Sequence, residues 1–157
     1  MLKMFKKKGE QVFAPVHGTV MALADVPDPV FASGAVGEGF AVEPSDGSFT
    51  SPVDGEVILI AKTLHAFGVR TESGAEILVH IGMDTVKLKG AGFTAHRATG
   101  DTVKQGELVI SCDLDQLTPQ VPSMVTPVLV TNGGKFAIAE TALGAASGSP
   151  VLTVRKK

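Results

Sequence analysis

Seven residues, Glu76 to Gly82 (E-I-L-V-H-I-G), limit what this chain can become. Strict alternation of apolar positions reads as a strand. Ile77, Val79 and Ile81 fall on one face, and Glu76, Leu78 and His80 on the other. The first face belongs to a core. The second sets an imidazole beside a leucine, an odd mixture for either core or solvent. Upstream, His65 to Thr71 (H-A-F-G-V-R-T) reads as the partner strand, joined through a turn at Ser73-Gly74. A two-residue hairpin loop pairs Glu72 with Ala75, Val69 with Leu78, Phe67 with His80, and His65 with Gly82. In that register His65 and His80 are diagonal neighbours on one face, within reach of two imidazoles. Phe67, Val69 and Leu78 ring them, and Gly68 and Gly82 flank them. Such a pair is a metal site, a nucleophilic and proton-transferring couple, or a hydrogen-bonded structural feature.

The rest of the chain supplies short strands. Its 18 glycines and 9 prolines punctuate valine-rich runs, and there is no Trp or Tyr. Ala14 to Val20 (A-P-V-H-G-T-V) and Ser51 to Val57 (S-P-V-D-G-E-V) share P-V-x-G-x-V, each with a glycine suited to a tight turn. The repeat implies pseudo-symmetric halves, with His17 and Asp54 at equivalent structural positions. Pro27 and Pro29 keep Asp25 to Val30 out of a helix interior or a central strand, so the segment reads as a loop with Val30 and Phe31 at its tip. That apolar tip is either a core plug or a docking patch. Gly39–Pro44 and Thr126–Asn132 read as strands, and Lys87–Phe93 and Arg97–Ile110 continue the β pattern. Glu56–His65 reads as one long strand, which places Thr63 beside His65, able to fix its ring. Ser147–Val154 reads as a turn and an edge strand. Asp113–Pro122 is held to about one helical turn by Pro119 and Pro122. The expected fold is all-β: a compact antiparallel β-sandwich or barrel-sandwich hybrid with pseudo-repeated halves and at most short helical turns.

Charge and composition narrow the function classes. Seven of the 14 basic residues lie in the first eight and last three positions, while all 16 acidic residues lie between. The body is therefore strongly acidic, which disfavours a nucleic-acid surface and favours a basic protein partner. Residues 1–13 read as a basic, disordered tail able at most to brush an anionic membrane, 14–154 as the domain, and 155–157 as a basic end. No apolar run is long enough to cross a membrane, and no signal-peptide core opens the chain. Cys112 is the only cysteine, so no intramolecular disulfide forms, and a cytoplasmic location is expected. It reads as a buried structural thiol. His96 reads as surface. Asp84 reads either as a charged rim residue of the histidine site or as a turn residue.

Several stretches together match one family. They are V-P-D-P-V-F-A (26–32), G-E-G-F-A-V-E-P (37–44), S-P-V-D-G-E-V, T-L-H-A-F-G (63–68), V-H-I-G-M-D-T-V-K-L-K-G (79–90) and T-P-V-L-V-T-N (126–132). The chain resembles the glucose-class A component, enzyme IIA, of the bacterial phosphoenolpyruvate:sugar phosphotransferase system. That resemblance implies a cytoplasmic phosphotransferase component; whether it stands alone or belongs to a larger permease chain is left open, the start Met and basic tail suggesting the former, and a monomer is the default expectation. The resemblance implies a carrier that takes a phosphoryl group from the histidine phosphocarrier protein and passes it to a cysteine on the B domain of a sugar permease. His80 matches the phosphorylated histidine, His65 the second active-site histidine, and Thr63 the residue that contacts it. Val30, Phe31, Leu78, Asp84 and Val86 match the docking surface, to which the local reading adds Phe67. Ala61 and Leu78 stand where relatives often carry aromatics, so a flatter rim is expected. Regulatory binding to permeases or kinases through the same face belongs to the resemblance too. Membrane contact is expected only through the permease or weakly through the tail. No cofactor is required, although zinc could settle between His65 and His80. The alternatives are a zinc hydrolase, which lacks an H-x-H, and a biotinyl or lipoyl carrier, suggested by G-D-T-V-K-Q-G-E-L (100–108) but lacking the methionine beside a modified lysine.

Overall fold

The structure is a computed structural model that describes residues 9–144 and 148–157. Thirteen strands follow one another among these residues: β1 (Glu10–Phe13), β2 (Gly18–Ala22), β3 (Glu38–Pro44), β4 (Ser48–Thr50), β5 (Gly55–Ile60), β6 (Ala66–Arg70), β7 (Glu76–His80), β8 (Phe93–Ala95), β9 (Thr102–Val103), β10 (Leu108–Cys112), β11 (Thr126–Val130), β12 (Phe136–Thr141) and β13 (Pro150–Lys156). Two single helical turns, α1 (Pro29–Ala32) and α2 (Leu114–Leu117), interrupt them. All pairings are antiparallel. A seven-stranded sheet runs β2-β3-β11-β7-β6-β5-β9, with three-stranded sheets β4-β10-β8 and β1-β13-β12 completing the fold. The all-β reading holds.

The repeat is visible in the topology. Outward from the central β11–β7 pair, the large sheet reads β3-β2 on one side and β6-β5 on the other. The amide of Phe13 donates to the carbonyl of Pro52 (3.0 Å), and that of Thr50 donates to the carbonyl of Pro15 (2.7 Å). These two bonds are images of one another under the 37-residue offset of the motif. The motif glycines start β2 and β5 rather than making tight turns. A Cβ on Gly18 would lie 2.0 Å from the carbonyl oxygen of Glu43, and one on Gly55 2.2 Å from that of Arg70. Glycine is required there by the close approach of the neighbouring strand.

One face of the large sheet packs into the main core, with Phe40, Phe67, Val69, Ile77, Val79 and Ile81 buried. The opposite face carries a smaller cluster. Leu23, Val26, Ala41, Met83, Val125 and Leu129 are buried there, and Phe31, Val36 and Leu78 pack against them. The connection between β2 and β3 folds over this second face, and at its rim the histidines emerge.

The ends are more ordered than their charge implies. Glu10–Phe13 is a strand, not tail, and Arg155 and Lys156 belong to β13. A carboxylate oxygen of Glu10 accepts from the hydroxyls of Thr71 (2.7 Å) and Ser73 (2.5 Å), tying β1 to the β6–β7 hairpin. The tail expected at residues 1–8 lies outside the described residues. β13 lies between β1 and β12, so it is a central strand rather than an edge; Ser147, placed in its leading turn, lies outside the described residues. Lys87–Phe93, expected to continue the β pattern, instead runs from the 3-10 turn Thr85–Leu88 through further turns, and β8 starts only at Phe93.

Candidate functional site

The β6–β7 hairpin departs from the expected register by one residue. Thr71 N–H donates to the carbonyl of Ala75 (2.9 Å), and Gly74 N–H donates to that of Thr71 (3.0 Å). The loop is therefore three residues long, Glu72 to Gly74, with Gly74 left-handed at φ +103°. A turn closed by a left-handed residue is the common three-residue solution, and it sets Ala66 opposite His80 and Phe67 opposite Val79. A one-residue change of register moves side chains to the other face. Phe67 is accordingly fully buried in the main core and leaves the docking surface. Val69 also faces the core.

The two histidines meet nonetheless, by another route. β5 ends at Ile60, and the chain turns through Ala61–His65 instead of continuing as a strand. The amide of Ala61 donates to the carbonyl of Ala66 (2.9 Å), and Leu64 inside the loop is left-handed, at φ 59°. His65 stands just before β6, its carbonyl accepting from the amide of Ile81 (2.7 Å). Its ring lies edge-on to that of His80, with centroids 5.0 Å apart. Thr63 Oγ1 is 2.5 Å from His65 Nδ1, the expected contact.

The hydrogen bonding of His80 fixes its chemistry. Its Nδ1 lies 2.9 Å from the carbonyl oxygen of Gly82. A carbonyl only accepts, so Nδ1 carries the proton and Nε2 carries the lone pair. Burial pushes the pKa of His80 below its ordinary value, and the neighbouring His65 pushes it further. The Gly82 carbonyl and Asp28 pull the other way. Burial alone lowers the pKa of His65. The folded site thus favours two neutral imidazoles. Downstream, the loop is pinned: Met83 N–H donates to the Ser123 carbonyl (2.8 Å), and the buried Thr85 hydroxyl donates to the Ile81 carbonyl (2.5 Å).

An apolar rim surrounds this pair. Pro27 and Pro29 do not leave a plain loop. Asp28 caps α1, its carboxylate accepting from the amide of Val30 (2.9 Å), and Pro29 occupies the first helical position. That turn brings the Phe31 ring to 4.8 Å from His80. Phe31 is half-buried against the second cluster, so it is both plug and surface. Val30 is 57% exposed, Val86 49% and Leu59 45%, the large apolar side chains most open to solvent among the described residues. Leu59 pairs with Gly68, and Gly68 with Leu78, so Leu59 shares the His80 face. Sequence reasoning missed Leu59, although alternation along Glu56–His65 sets it on one face with Thr63 and His65; the β-bulge between Val57 and Leu59 separates it from the core-facing Val57. It also missed Asp28, although Asp before Pro at a helix start was a usable signal. Asp84 is left-handed (φ 60°), exposed, and 3.7 Å from Lys87 Nζ.

The other singled-out residues lie elsewhere. His17 pairs with Asp46 (3.0 Å) in the open, and exposed His96 contacts Ser111 (2.8 Å). Cys112 is half-buried, and burial with Asp113 and Asp46 raises its pKa to about 11, as expected of an inert thiol. Among the described residues no group of three or more His, Cys, Asp or Glu side chains converges, so a metal at the pair would find two imidazoles. No described helix is long and apolar enough to cross a membrane.

Similarity to known proteins gives first the class, a phosphotransferase component of sugar uptake, and then the family. The chain shares a TM-score of 0.85 and 38% identity with the glucose permease IIA of Mycoplasma capricolum, covering 92% of this chain and 95% of that one. It is 46% identical over 131 residues to the glucose-specific EIIA component of the phosphotransferase system of Halalkalibacterium halodurans, covering 83% of this chain and 76% of that protein. It is 48% identical over 128 residues to a beta-glucoside-specific EIIBCA component of Bacillus subtilis, covering 82% of this chain but 21% of that longer protein. The family model described as phosphoenolpyruvate-dependent sugar phosphotransferase system, EIIA 1, matches residues 10–136. The chain belongs to this family, whose role is that of a phosphoryl carrier in sugar transport.

Proposed function

We propose that Nε2 of His80 accepts a phosphoryl group from the histidine phosphocarrier protein and yields it to a cysteine on the B domain of a sugar permease. The observation that carries this reading is the bond from His80 Nδ1–H to the Gly82 carbonyl, which leaves Nε2 as the nucleophile. In the first step the Nε2 lone pair forms a bond to phosphorus as the bond to the carrier's imidazole breaks. In the second a thiolate attacks phosphorus, and His80 leaves as a neutral imidazole. Phosphoryl transfer needs positioning and charge stabilisation more than covalent help from the protein. When the Thr63 hydroxyl donates to His65 Nδ1, the His65 proton sits on Nε2 and can be donated to the phosphoryl oxygens.

The rim serves both partners. Val30, Phe31, Leu59, Leu78 and Val86 form an apolar surface that excludes water from the phosphoimidazole and seats a partner's matching face. Asp28 and Asp84 give this rim negative charge, suited to a basic partner. Relatives named EIIBCA and EIICBA, which combine several components under one name, support a permease B domain as acceptor. The work takes place in the cytoplasm, and other proteins bound for regulation would occupy the same face. No cofactor takes part. A zinc ion lodged between His65 and His80 would need its remaining ligands from outside the chain.

Incubation with phosphoenolpyruvate, the system's first enzyme and its phosphocarrier, followed by intact mass, tests the assignment. Wild type gains one acid-labile phosphoryl, and His80→Ala gains none. His65→Ala still accepts phosphate but passes it on slowly; loss of acceptance as well would overturn the role given to His65.

A further inference from the structure

Among the described residues three non-glycine residues have left-handed backbones: Leu64 (φ 59°), Asp84 (φ 60°) and Lys89 (φ 54°). All three lie in the two loops that hold or follow the histidines. Asp and Lys in such a conformation are uncommon, and a bulky apolar residue there is an outlier. The left-handed conformation costs an L-residue free energy, so it persists only where its surroundings over-determine it.

The surroundings of Leu64 do so. Its amide donates to the carbonyl of Ala61 (2.8 Å), closing a turn. Its side chain is half-buried and packs against the main core, on the far side of the sheet from His80. The next residue, His65, reaches the near side. Simple alternation backward from β6 would send His65 elsewhere: Ala66 faces the His80 side, Phe67 the core, and an extended residue 65 would follow Phe67. The chain instead keeps both His65 and Ala66 on the His80 side. The break in alternation lies at the His65–Ala66 junction, directly after the left-handed Leu64 that closes the loop.

We propose that Leu64 is a positioning residue for onward phosphoryl transfer: its core-anchored side chain and left-handed backbone hold the His65 imidazole on the face of His80. Thr63 orients the ring, and Leu64 fixes the loop from which His65 enters β6. This rests on the carrier role given to His80 and His65 above. The role of Leu64 is not chemical, since its side chain points away from the reacting atoms.

The test compares acceptance with donation in Leu64→Gly, Leu64→Ala and Leu64→Met, with wild type and His65→Ala as references. Glycine keeps the left-handed conformation available but removes both strain and anchor; alanine removes the anchor alone; methionine restores an apolar anchor. Acceptance of phosphate from the carrier and donation to an isolated permease B domain are timed separately, and the His65 ring nitrogens are followed by NMR. Expected is a donation rate about tenfold lower in the glycine and alanine variants, acceptance within about threefold of wild type, and displaced His65 resonances; methionine returns donation to near the wild-type rate. Loss of stability alone would lower both rates together and would not be rescued in this ratio. Unchanged donation and unmoved His65 resonances in either truncated variant would overturn the proposal. If one truncated variant does not fold, the other decides. Absence of phosphate on wild-type His80 would instead refute the carrier reading itself.

Discussion

Two glycines flank the histidine pair, and the structure gives them opposite tolerances. At Gly82 the backbone is left-handed (φ +76°), and an added Cβ would lie 2.7 Å from Thr85 Cγ2, 3.1 Å from Met124 Sδ and 3.3 Å from the Ser123 carbonyl oxygen. Thr85 cannot yield easily, because it is buried and its hydroxyl is bonded to the Ile81 carbonyl. The left-handed conformation costs an alanine about 1–2 kcal/mol. Overpacking a filled site adds about 1–3 kcal/mol. Gly82→Ala should therefore lose about 2–5 kcal/mol. In a chain of this length that lowers Tm by roughly 5–20 °C. Any backbone shift that relieves the clash also moves the carbonyl that holds His80 Nδ1–H, so acceptance of phosphate should slow as well. At Gly68 an added Cβ would meet Ile58 Cγ1 at 3.5 Å and Leu59 Cβ at 3.6 Å, ordinary contacts. Gly68→Ala should melt within about 3 °C of wild type, an effect below about 1 kcal/mol. Circular dichroism melts of the two variants decide the matter. A Gly82→Ala Tm within about 2 °C of wild type, or a Gly68→Ala loss as large as that of Gly82→Ala, would refute the steric reasoning.

Acid should weaken both folding and activity. Both site histidines have folded pKa values below the ordinary 6.5, so the unfolded chain binds more protons between the folded and unfolded values. Their contribution to stability is complete above pH 6.5 and declines as pH falls from there toward the folded pKa values. Urea melts across pH 5 to 8 check this, and the acceptance rate should be flat above pH 6.5 with its acid midpoint below that value. Glu10→Ala should cost about 1 kcal/mol, because Thr71 and Ser73 each lose a hydroxyl acceptor. A matching fall in Tm would show that β1 is tied to the hairpin in solution.

The sequence exposes its chemistry more readily than its geometry. Alternation in Glu76–His80 fixes the core face of β7, and the duplicated P-V-x-G-x-V motif anticipates the mirrored order of the large sheet. His80 and His65 are found because both are rare residues beside strands. The register between them is not legible, since Ser73-Gly74 fits a two-residue loop as well as the third position of a longer one. That ambiguity costs one residue and misplaces Phe67, which packing then buries. The approach of His65 to His80 depends on a left-handed leucine, a conformation no local propensity favours. Asp28-Pro29 could have been read as a helix start, but two nearby prolines suggested irregular chain. Alternation back from His65 puts Leu59 on the site face but puts Val57 there too, and only the bulge between them returns Val57 to the core. Charge misled at the N-terminal side, where the basic residues hide strand β1 with its buried Val12; at the C-terminal side the strand is legible, but not its central place in the sheet or its extension through Arg155 and Lys156.

If Nε2 of His80 carries the phosphoryl group, as proposed, it does so because Nδ1 is committed to the Gly82 carbonyl. Nitrogen-15 and phosphorus-31 NMR of the phosphorylated protein, with histidine labelled in the rings, reads the bonded nitrogen directly. Expected is one phosphohistidine, on His80, with phosphorus coupled to Nε2 and a proton retained on Nδ1. Phosphate on Nδ1 of His80, or on the ring of His65, would contradict it.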